Sequence, residues 1–368
     1  MEAVPPRVLI VTASVGEGHD LPARTLAAQL CAERPETEVV VEDGLVAMGR
    51  LITAFSESGP RLVFYRFLWL WDLTFWLFAR FPPLRGGGKW LLARVGGPGM
   101  LRLVRRTHPD VVVSVYPQST EVLGWLRRTG KLDVPAVAGV TDLAAMHYWA
   151  ARGIDLHLLT HPESVAEVRL VAGDGTEVRS VHGLTSPEFA EPRDPGEARR
   201  ALGLPNGKVV LVSGGGWGVG DIEGAVDTAL ELEQVALVVC LCGRNERLRT
   251  LLEGRYGGDR RVRIEGFTDR MSDWLAAGDA LVHSTGGLTV LEAHIRGCPT
   301  ISYGWGRGHI RSNNAGYRRY GLADVVTSRS GLAAALGRAL AARKPQDLSF
   351  AALPSAASLV LELADRAR

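Results

Sequence analysis

The sequence predicts an α/β protein made of two Rossmann-like domains facing across a cleft. Three observations predict this. Apolar runs of strand length alternate with helix-length segments. A strand, a glycine-rich loop and a helix follow one another near the start, and the same plan returns from Lys208 onward. Between them, Gly183 to Pro205 is rich in Pro, Glu and Arg with little periodicity at its start, as an interdomain connection is.

Composition sets the outer bounds. The 368 residues suffice for two domains, each with its own core. A formal net charge of +2 does not argue for nucleic acid. Cys31, Cys240, Cys242 and Cys298 are scattered without metal-ligand spacing, so buried thiols are expected in a reducing cytosol. The first residues lack the basic, apolar and small-residue series of a signal peptide.

In the first half, Arg7 to Ala13 reads as a buried strand, SVGEGH as a loop, and Asp20 to Cys31 as a helix. No third glycine follows at dinucleotide-fingerprint spacing, and the acids Glu42 and Asp43 are loosely placed for a ribose. His19 stands at the carboxyl end of the first strand, where open α/β sheets hold ligands. From the residues alone, a surface or N-capping histidine is the favoured reading.

The segment 61–81, RLVFYRFLWLWDLTFWLFARF, is crowded with aromatics, including Trp69, Trp71 and Trp76. Arg66 and Asp72 interrupt its apolar core, and Arg61, Arg80, Arg85, Lys89 and Arg94 flank it. An element lying in a membrane interface fits, since Trp and Tyr prefer that depth and basic groups prefer anionic headgroups. A core helix, a dimer interface and a spanning helix are the alternatives. Gly86 to Gly88 and Gly96 to Gly99 read as mobile loops around it.

His108-Pro109-Asp110 introduces a strand at Val111 to Val115, with Pro117 to Thr120 at its carboxyl end. Gln118 there is a candidate cleft-lining residue. A helix around Glu121 to Arg128 and a strand at Ala136 to Val140 follow. Asp142 ends the latter, either orienting a hydroxyl, steadying His19, or capping the next segment.

In the second half, Glu197 to Leu202 is a short helix and Lys208 to Val212 a strand. The strand runs into Gly214-Gly215-Gly216-Trp217-Gly218, whose backbone can approach a diphosphate. Leu237 to Cys242 and Leu281 to His283 are further strands. Gly286-Gly287 opens a helix from Thr289 to Ile295, a combination that favours an anion. Glu292, one turn inside, can accept hydrogen bonds from a ribose diol or be a solvated or capping acid. Ala351 to Arg368 closes the chain as a helix.

These motifs resemble a known family. GFTDRM, GG-x-T-x-x-EA and the later NNA look like the donor half of GT-B glycosyltransferases, above all monogalactosyl- and glucosyl-diacylglycerol synthases. The lipid II-forming N-acetylglucosaminyltransferase is a more distant match. The G-G-G-x-G-x-G-x-I-E stretch from Gly214, Cys242-Gly243-Arg244-Asn245, and Thr141-Asp142 with the aromatic turn His147-Tyr148-Trp149 agree. The resemblance is closest over 207–326, looser over 7–45 and 109–160, and weakest over 46–108.

The resemblance implies an inverting, metal-independent transfer of a hexose from a UDP-sugar to a lipid hydroxyl, that of diacylglycerol. His19 becomes the base, with Asp142 beside it, in a loop matching the family's G-G-G-H. Donor contacts fall on Gly214, Gly215, Gly216, Gly218, Gly243, Arg244, Phe267, Met271, Gly286, Gly287, Thr289, Glu292 and Asn314. Acceptor contacts fall on Gly16, Gly18, Gln118, His147, Trp69, Trp71 and Trp76. The domains become 1–190 for the acceptor, with a membrane-interface segment at 61–95, and 191–345 for the UDP-sugar. A crossover helix at 346–368 packs back on the first domain.

UDP-sugar is then a substrate and no cofactor is expected. The partners are a lipid acceptor and an anionic membrane surface, not nucleic acid, and the location is the inner face of the cell membrane. Two features depart from the family. Glu17 stands where many relatives carry glycine. Ile310 and Arg311 stand where relatives carry a sugar-gripping Gln or Glu, which leaves His309, Arg311 and Asn313 as candidates. Rival readings are an N-acetylglucosaminyl- or natural-product glycosyltransferase, and a non-catalytic nucleotide-sugar-binding subunit.

Overall fold

The computed structural model describes residues 5–13, 17–54, 73, 76–78, 80–284, 286–304, 306 and 308–368. Gly16, Trp69 and Trp71, and the side chains of Glu17 and His309, lie outside the described residues. The chain forms two compact units, 1–186 with 353–368, and 187–352. The sequence places these boundaries at 190/191 and 345/346, a few residues away.

The first unit begins with β1 (Arg7–Thr12), α1 (Glu17–Glu33), β2 (Glu38–Asp43), α2 (Gly44–Met48) and α3 (Arg50–Thr53). Next come α4 (Pro82–Thr107), β3 (Val111–Ser114), α5 (Pro117–Arg128), β4 (Ala136–Val140) and α6 (Met146–Trp149). It continues with β5 (Leu156–Leu159), α7 (Val165–Ala172) and β6 (Glu177–Ser180). The strands make a parallel sheet in the order β2-β1-β3-β4-β5-β6.

Both faces of that sheet are covered, which is why its strands read as unbroken apolar runs. Leu9 and Val11 face Met100, Leu103 and Leu123. Val8 and Ile10 face Leu26 and Leu30 of α1, together with Val360 and Leu361 near the C-terminus.

The second unit contains α8 (Pro195–Ala201), β7 (Lys208–Ser213), α9 (Ile222–Leu230), β8 (Val235–Leu241), α10 (Glu246–Tyr256) and β9 (Val262–Glu265). It goes on with α11 (Met271–Ala277), β10 (Ala280–His283), α12 (Gly287–Ile295) and β11 (Thr300–Tyr303). Then come α13 (His309–Tyr320), β12 (Asp324–Val326) and α14 (Arg329–Ala341). Its parallel sheet runs β12-β11-β10-β7-β8-β9. The final helix α15 (Ala356–Arg366) returns to the first unit, where Arg34 of α1 grips Asp365 through two bonds of 2.8 and 2.9 Å.

Several sequence expectations change. The glycines at 86–88 and 96–99 are not loops but lie inside the 26-residue helix α4. Pro82 and Pro83 occupy its first turn, where a missing N–H costs nothing. Gly99 is small because a Cβ there would land on the carbonyl oxygen of Ala47, and one on Gly96 would come within 2.9 Å of Met48 Sδ. Low helix propensity is thus outweighed by close approach of α4 to α2.

The first helix starts at Glu17 rather than Asp20, which puts His19 inside its first turn and Pro22 within it. Pro117 to Thr120, with Gln118, form the first turn of α5. Asp43 accepts from Leu45 and Val46 N–H as the cap of α2. The closing helix begins at Ala356, not Ala351. Cys240, Cys242 and Cys298 are buried free thiols, but Cys31 is exposed.

Candidate active site

Each sheet has one place where successive connections leave in opposite directions, and a crevice forms there beyond the strand ends. In the first sheet it lies between β1 and β3. His19 follows β1, and its Nδ1 lies 3.1 Å from the carbonyl oxygen of Val115, the residue after β3. A carbonyl only accepts, so Nδ1 carries the proton, and a neutral ring keeps its lone pair on Nε2. The Thr12 hydroxyl, at the end of β1, donates to the His19 carbonyl at 3.1 Å and lies 3.2 Å from Asp20 Oδ1.

Two aromatic rings enclose the imidazole. Tyr116 meets it edge-on with centroids 4.8 Å apart, and Trp149 lies at 5.6 Å. The Trp149 indole N–H donates to Asp142 Oδ2 at 3.0 Å. Asp142 does not cap α6, whose cap position is Ala145 in the left-handed region. The sequence marked His19 and Asp142 but missed Tyr116 and Trp149 as walls of the imidazole, Trp149 linking the two. The signal available for Trp149 was the aromatic turn itself.

Gly18 is exposed, with nothing within 4 Å of a Cβ placed there. Gln118 is half-buried at the start of α5. His147 stacks on Tyr148 with centroids 4.2 Å apart. Burial, then the charges of Arg85 and Lys89, pushes its imidazole down to about 4. Its buried Nε2 has no hydrogen-bond partner among the described residues. Trp76 is exposed and meets Phe81 edge-on at 5.8 Å.

The second sheet turns between β7 and β10. The loop after β7 is held by its own backbone, with Val219 N–H donating to Gly214 O at 3.0 Å and Gly218 N–H to Gly215 O at 3.1 Å. Gly218 has φ +60° and would drive a Cβ into Leu248. The loop touches the end of β8, where a Cβ on Gly243 would come within 2.8 Å of Gly216 Cα and Arg244 N–H donates to Gly216 O at 3.2 Å. Ser284, after β10, donates its hydroxyl to Val219 O.

The guanidinium of Arg244 stacks 3.8 Å over the Phe267 ring, which remains 49% exposed. Met271 opens α11. Gly286 starts α12 without a side-chain cap, whereas Asp221 caps α9 by accepting from Gly224 N–H at 2.9 Å. Thr289 is half-buried on α12, and Glu292 is buried on it, so Glu292 is neither a solvated nor a capping acid. Asn314 is buried and accepts from the Ser302 hydroxyl at 2.7 Å. Ile310 is buried, while Arg311 is exposed and donates to Gly306 O at 3.1 Å. The sequence-marked residues therefore gather at the carboxyl edges of the two sheets, His19, Asp142 and Gln118 in one unit and the glycine loops, Arg244, Glu292 and Asn314 in the other.

Residues 22–184 match the family model described as monogalactosyldiacylglycerol (MGDG) synthase. That stretch lies within the first unit, where the motifs were thinnest. The chain is 33% identical over 213 residues to a probable monogalactosyldiacylglycerol synthase of Oryza sativa subsp. indica, covering 54% of this chain and 45% of that protein. The match thus spans about half the length of that relative. It is 26% identical over 333 residues to the processive diacylglycerol beta-glucosyltransferase of Bacillus subtilis, covering 87% of this chain and 83% of that one. Among solved structures, Acinetobacter baumannii MurG shares the fold with a TM-score of 0.54 at 14% identity, covering 97% of this chain and 100% of that one. The chain thus has the GT-B glycosyltransferase fold, matches the monogalactosyldiacylglycerol synthase family model over residues 22–184, and is similar along most of its length to a diacylglycerol glycosyltransferase.

Proposed function

We propose that this protein is an inverting glycosyltransferase that moves a hexose from a UDP-sugar to a lipid hydroxyl, that of diacylglycerol, to make a glycolipid. The observation that carries this reading is His19, whose Nδ1 is committed to Val115 O, a tautomer that puts the basic lone pair on Nε2. Nε2 takes the acceptor hydroxyl proton as the oxygen attacks the anomeric carbon. The bond from that carbon to UDP breaks, and UDP leaves with the electron pair, which inverts the centre. N–H groups of the Gly214–Gly220 loop and the start of α12 meet the charge growing on UDP, so no metal is invoked.

The donor side draws on Arg244, Phe267, Met271, Gly286, Gly287, Thr289, Glu292 and Asn314. The acceptor side draws on Gly18, Gln118 and His147.

The same reading places the protein on the inner face of the cell membrane. On α4, Leu84, Leu91 and Val95 face outward, opposite Ala93, Gly97 and Met100, which pack inward. Trp90 and Leu91 are each 57% exposed. Among the described residues no helix is long and apolar enough to cross a membrane.

The test is radiolabelled UDP-hexose with diacylglycerol in vesicles, with and without EDTA. The expected product is a glycolipid with an inverted anomeric centre, formed equally in EDTA. Transfer only to other acceptors would favour the N-acetylglucosaminyl- or natural-product reading. UDP-sugar binding with no transfer would favour a non-catalytic subunit.

A further inference from the structure

The glycine loop after β7 is held at its far end by two side chains that no motif marks. Ser284, from the end of β10, donates to Val219 O. Tyr303, the last residue of β11, donates its hydroxyl to Asp221 Oδ2 at 2.8 Å. The other oxygen of Asp221 accepts from Gly224 N–H at 2.9 Å, so one carboxylate ties the end of β11 to the start of α9. Between the two held residues lies Gly220, with φ +106° and no room for a Cβ beside Ser284. Past Tyr303 the chain turns away at Gly304, with φ +77°, and a Cβ there would come within 3.2 Å of Asp221 Cβ.

Glycine loses more conformational freedom on ordering than any other residue. A glycine-rich loop that ligand must order binds weakly, and one ordered beforehand does not bear that cost. Tyr303 is buried, and burial first, then the Asp221 carboxylate, raises its hydroxyl above the ordinary tyrosine range. It therefore stays a donor throughout the physiological range.

We propose that Tyr303 is a positioning residue of the donor site, which acts through Asp221 to hold the Gly214–Gly220 loop in the shape that receives a nucleoside diphosphate. This rests on the donor reading given above. The distance of 82 residues between the partners hides the link from any local pattern.

The experiment is calorimetry with UDP on the full chain, alongside amide hydrogen exchange and donor kinetics, for wild type, Tyr303→Phe and Asp221→Asn. Tyr303→Phe removes one oxygen and is expected to weaken UDP binding on the order of tenfold. The donor KM should rise with kcat nearly unchanged, and Val219 and Gly220 amides should exchange faster while those of β7 stay protected. Asp221→Asn keeps a cap acceptor and an amide partner for the Tyr303 hydroxyl, and should weaken UDP binding less than Tyr303→Phe does; a loss in Asp221→Asn with none in Tyr303→Phe would overturn the role of Tyr303. Wild-type binding of UDP with an unchanged affinity in Tyr303→Phe would overturn the positioning role alone. Equal loss of protection across the whole unit would also overturn it, since that marks a purely structural contact. No UDP binding by wild type would overturn the donor reading and this proposal with it.

Discussion

The indole N–H of Trp149 donates to Asp142 Oδ2 at 3.0 Å, and the same ring lies 5.6 Å from the imidazole of His19. The carboxylate thus anchors a ring that packs against His19. Such a ring limits the orientations open to the imidazole.

His19→Ala is expected to lower turnover by roughly 10²–10⁴, the usual general-base contribution, with UDP binding nearly intact. Trp149→Phe keeps a ring but drops the N–H, so its loss should be smaller, about tenfold. Steady-state kinetics of both variants check the order. Equal turnover in His19→Ala and wild type would remove His19 from the chemistry.

Glu292 is buried on α12, and Glu292→Gln keeps its shape while removing the charge. If it holds the ribose diol, UDP affinity falls by about 1–3 kcal/mol. Calorimetry with UDP gives the answer, and an unchanged Kd would take Glu292 out of the nucleotide site.

Gly99 and Gly87 share helix α4 but differ in surroundings. A Cβ on Gly99 would strike Ala47 O, so Gly99→Ala should cost about 2 kcal/mol or more. A Cβ on Gly87 meets nothing within 4 Å, and Gly87→Ala should gain up to about 1 kcal/mol. Chemical denaturation measures both. Similar signs for the two would mean that α4 does not pack this closely on α2.

Two buried histidines and the half-buried His147 predict an acid limit. Burial pushes His157 and His283 down to about 4, and burial with Arg85 and Lys89 does the same to His147, from an ordinary 6.5. Above that ordinary value the imidazoles are neutral in both folded and unfolded chains, and stability does not depend on them. Between about 6.5 and 4 only the unfolded chain takes up their protons, so stability falls as pH drops through this window. Below about 4 the folded chain also protonates and their contribution levels off. Denaturation midpoints from about pH 7 to about pH 4.5 should decline steadily, and a flat profile contradicts neutral burial.

Trp90 and Leu91 are each 57% exposed, so replacing both with serine should leave the fold intact. Binding to anionic liposomes should drop at every salt concentration, because the apolar part of the attraction is not screened. Wild-type binding should weaken with salt without vanishing. A folded double variant that binds like wild type excludes α4 from the membrane surface.

Much of this was present in local sequence. Parallel strands buried on both faces must be apolar throughout, so runs such as Val111 to Val115 and Lys208 to Val212 identify themselves. Glycines that need positive φ or close approach mark the loop from Gly214, and the Gly286–Gly287 pair marks the start of α12. Tertiary structure alone decided the rest. The glycines of α4 signal a break locally, yet Ala47 and Met48 of a distant helix make their smallness a packing requirement. His19 receives its tautomer from Val115, 96 residues away, and the glycine loop its brace from Tyr303. Local propensity is a matter of a few tenths to about 1 kcal/mol per residue and acts between near neighbours. Hydrogen bonds and close packing between remote segments exist only once the sheets bring those segments together, so no window of sequence contains them.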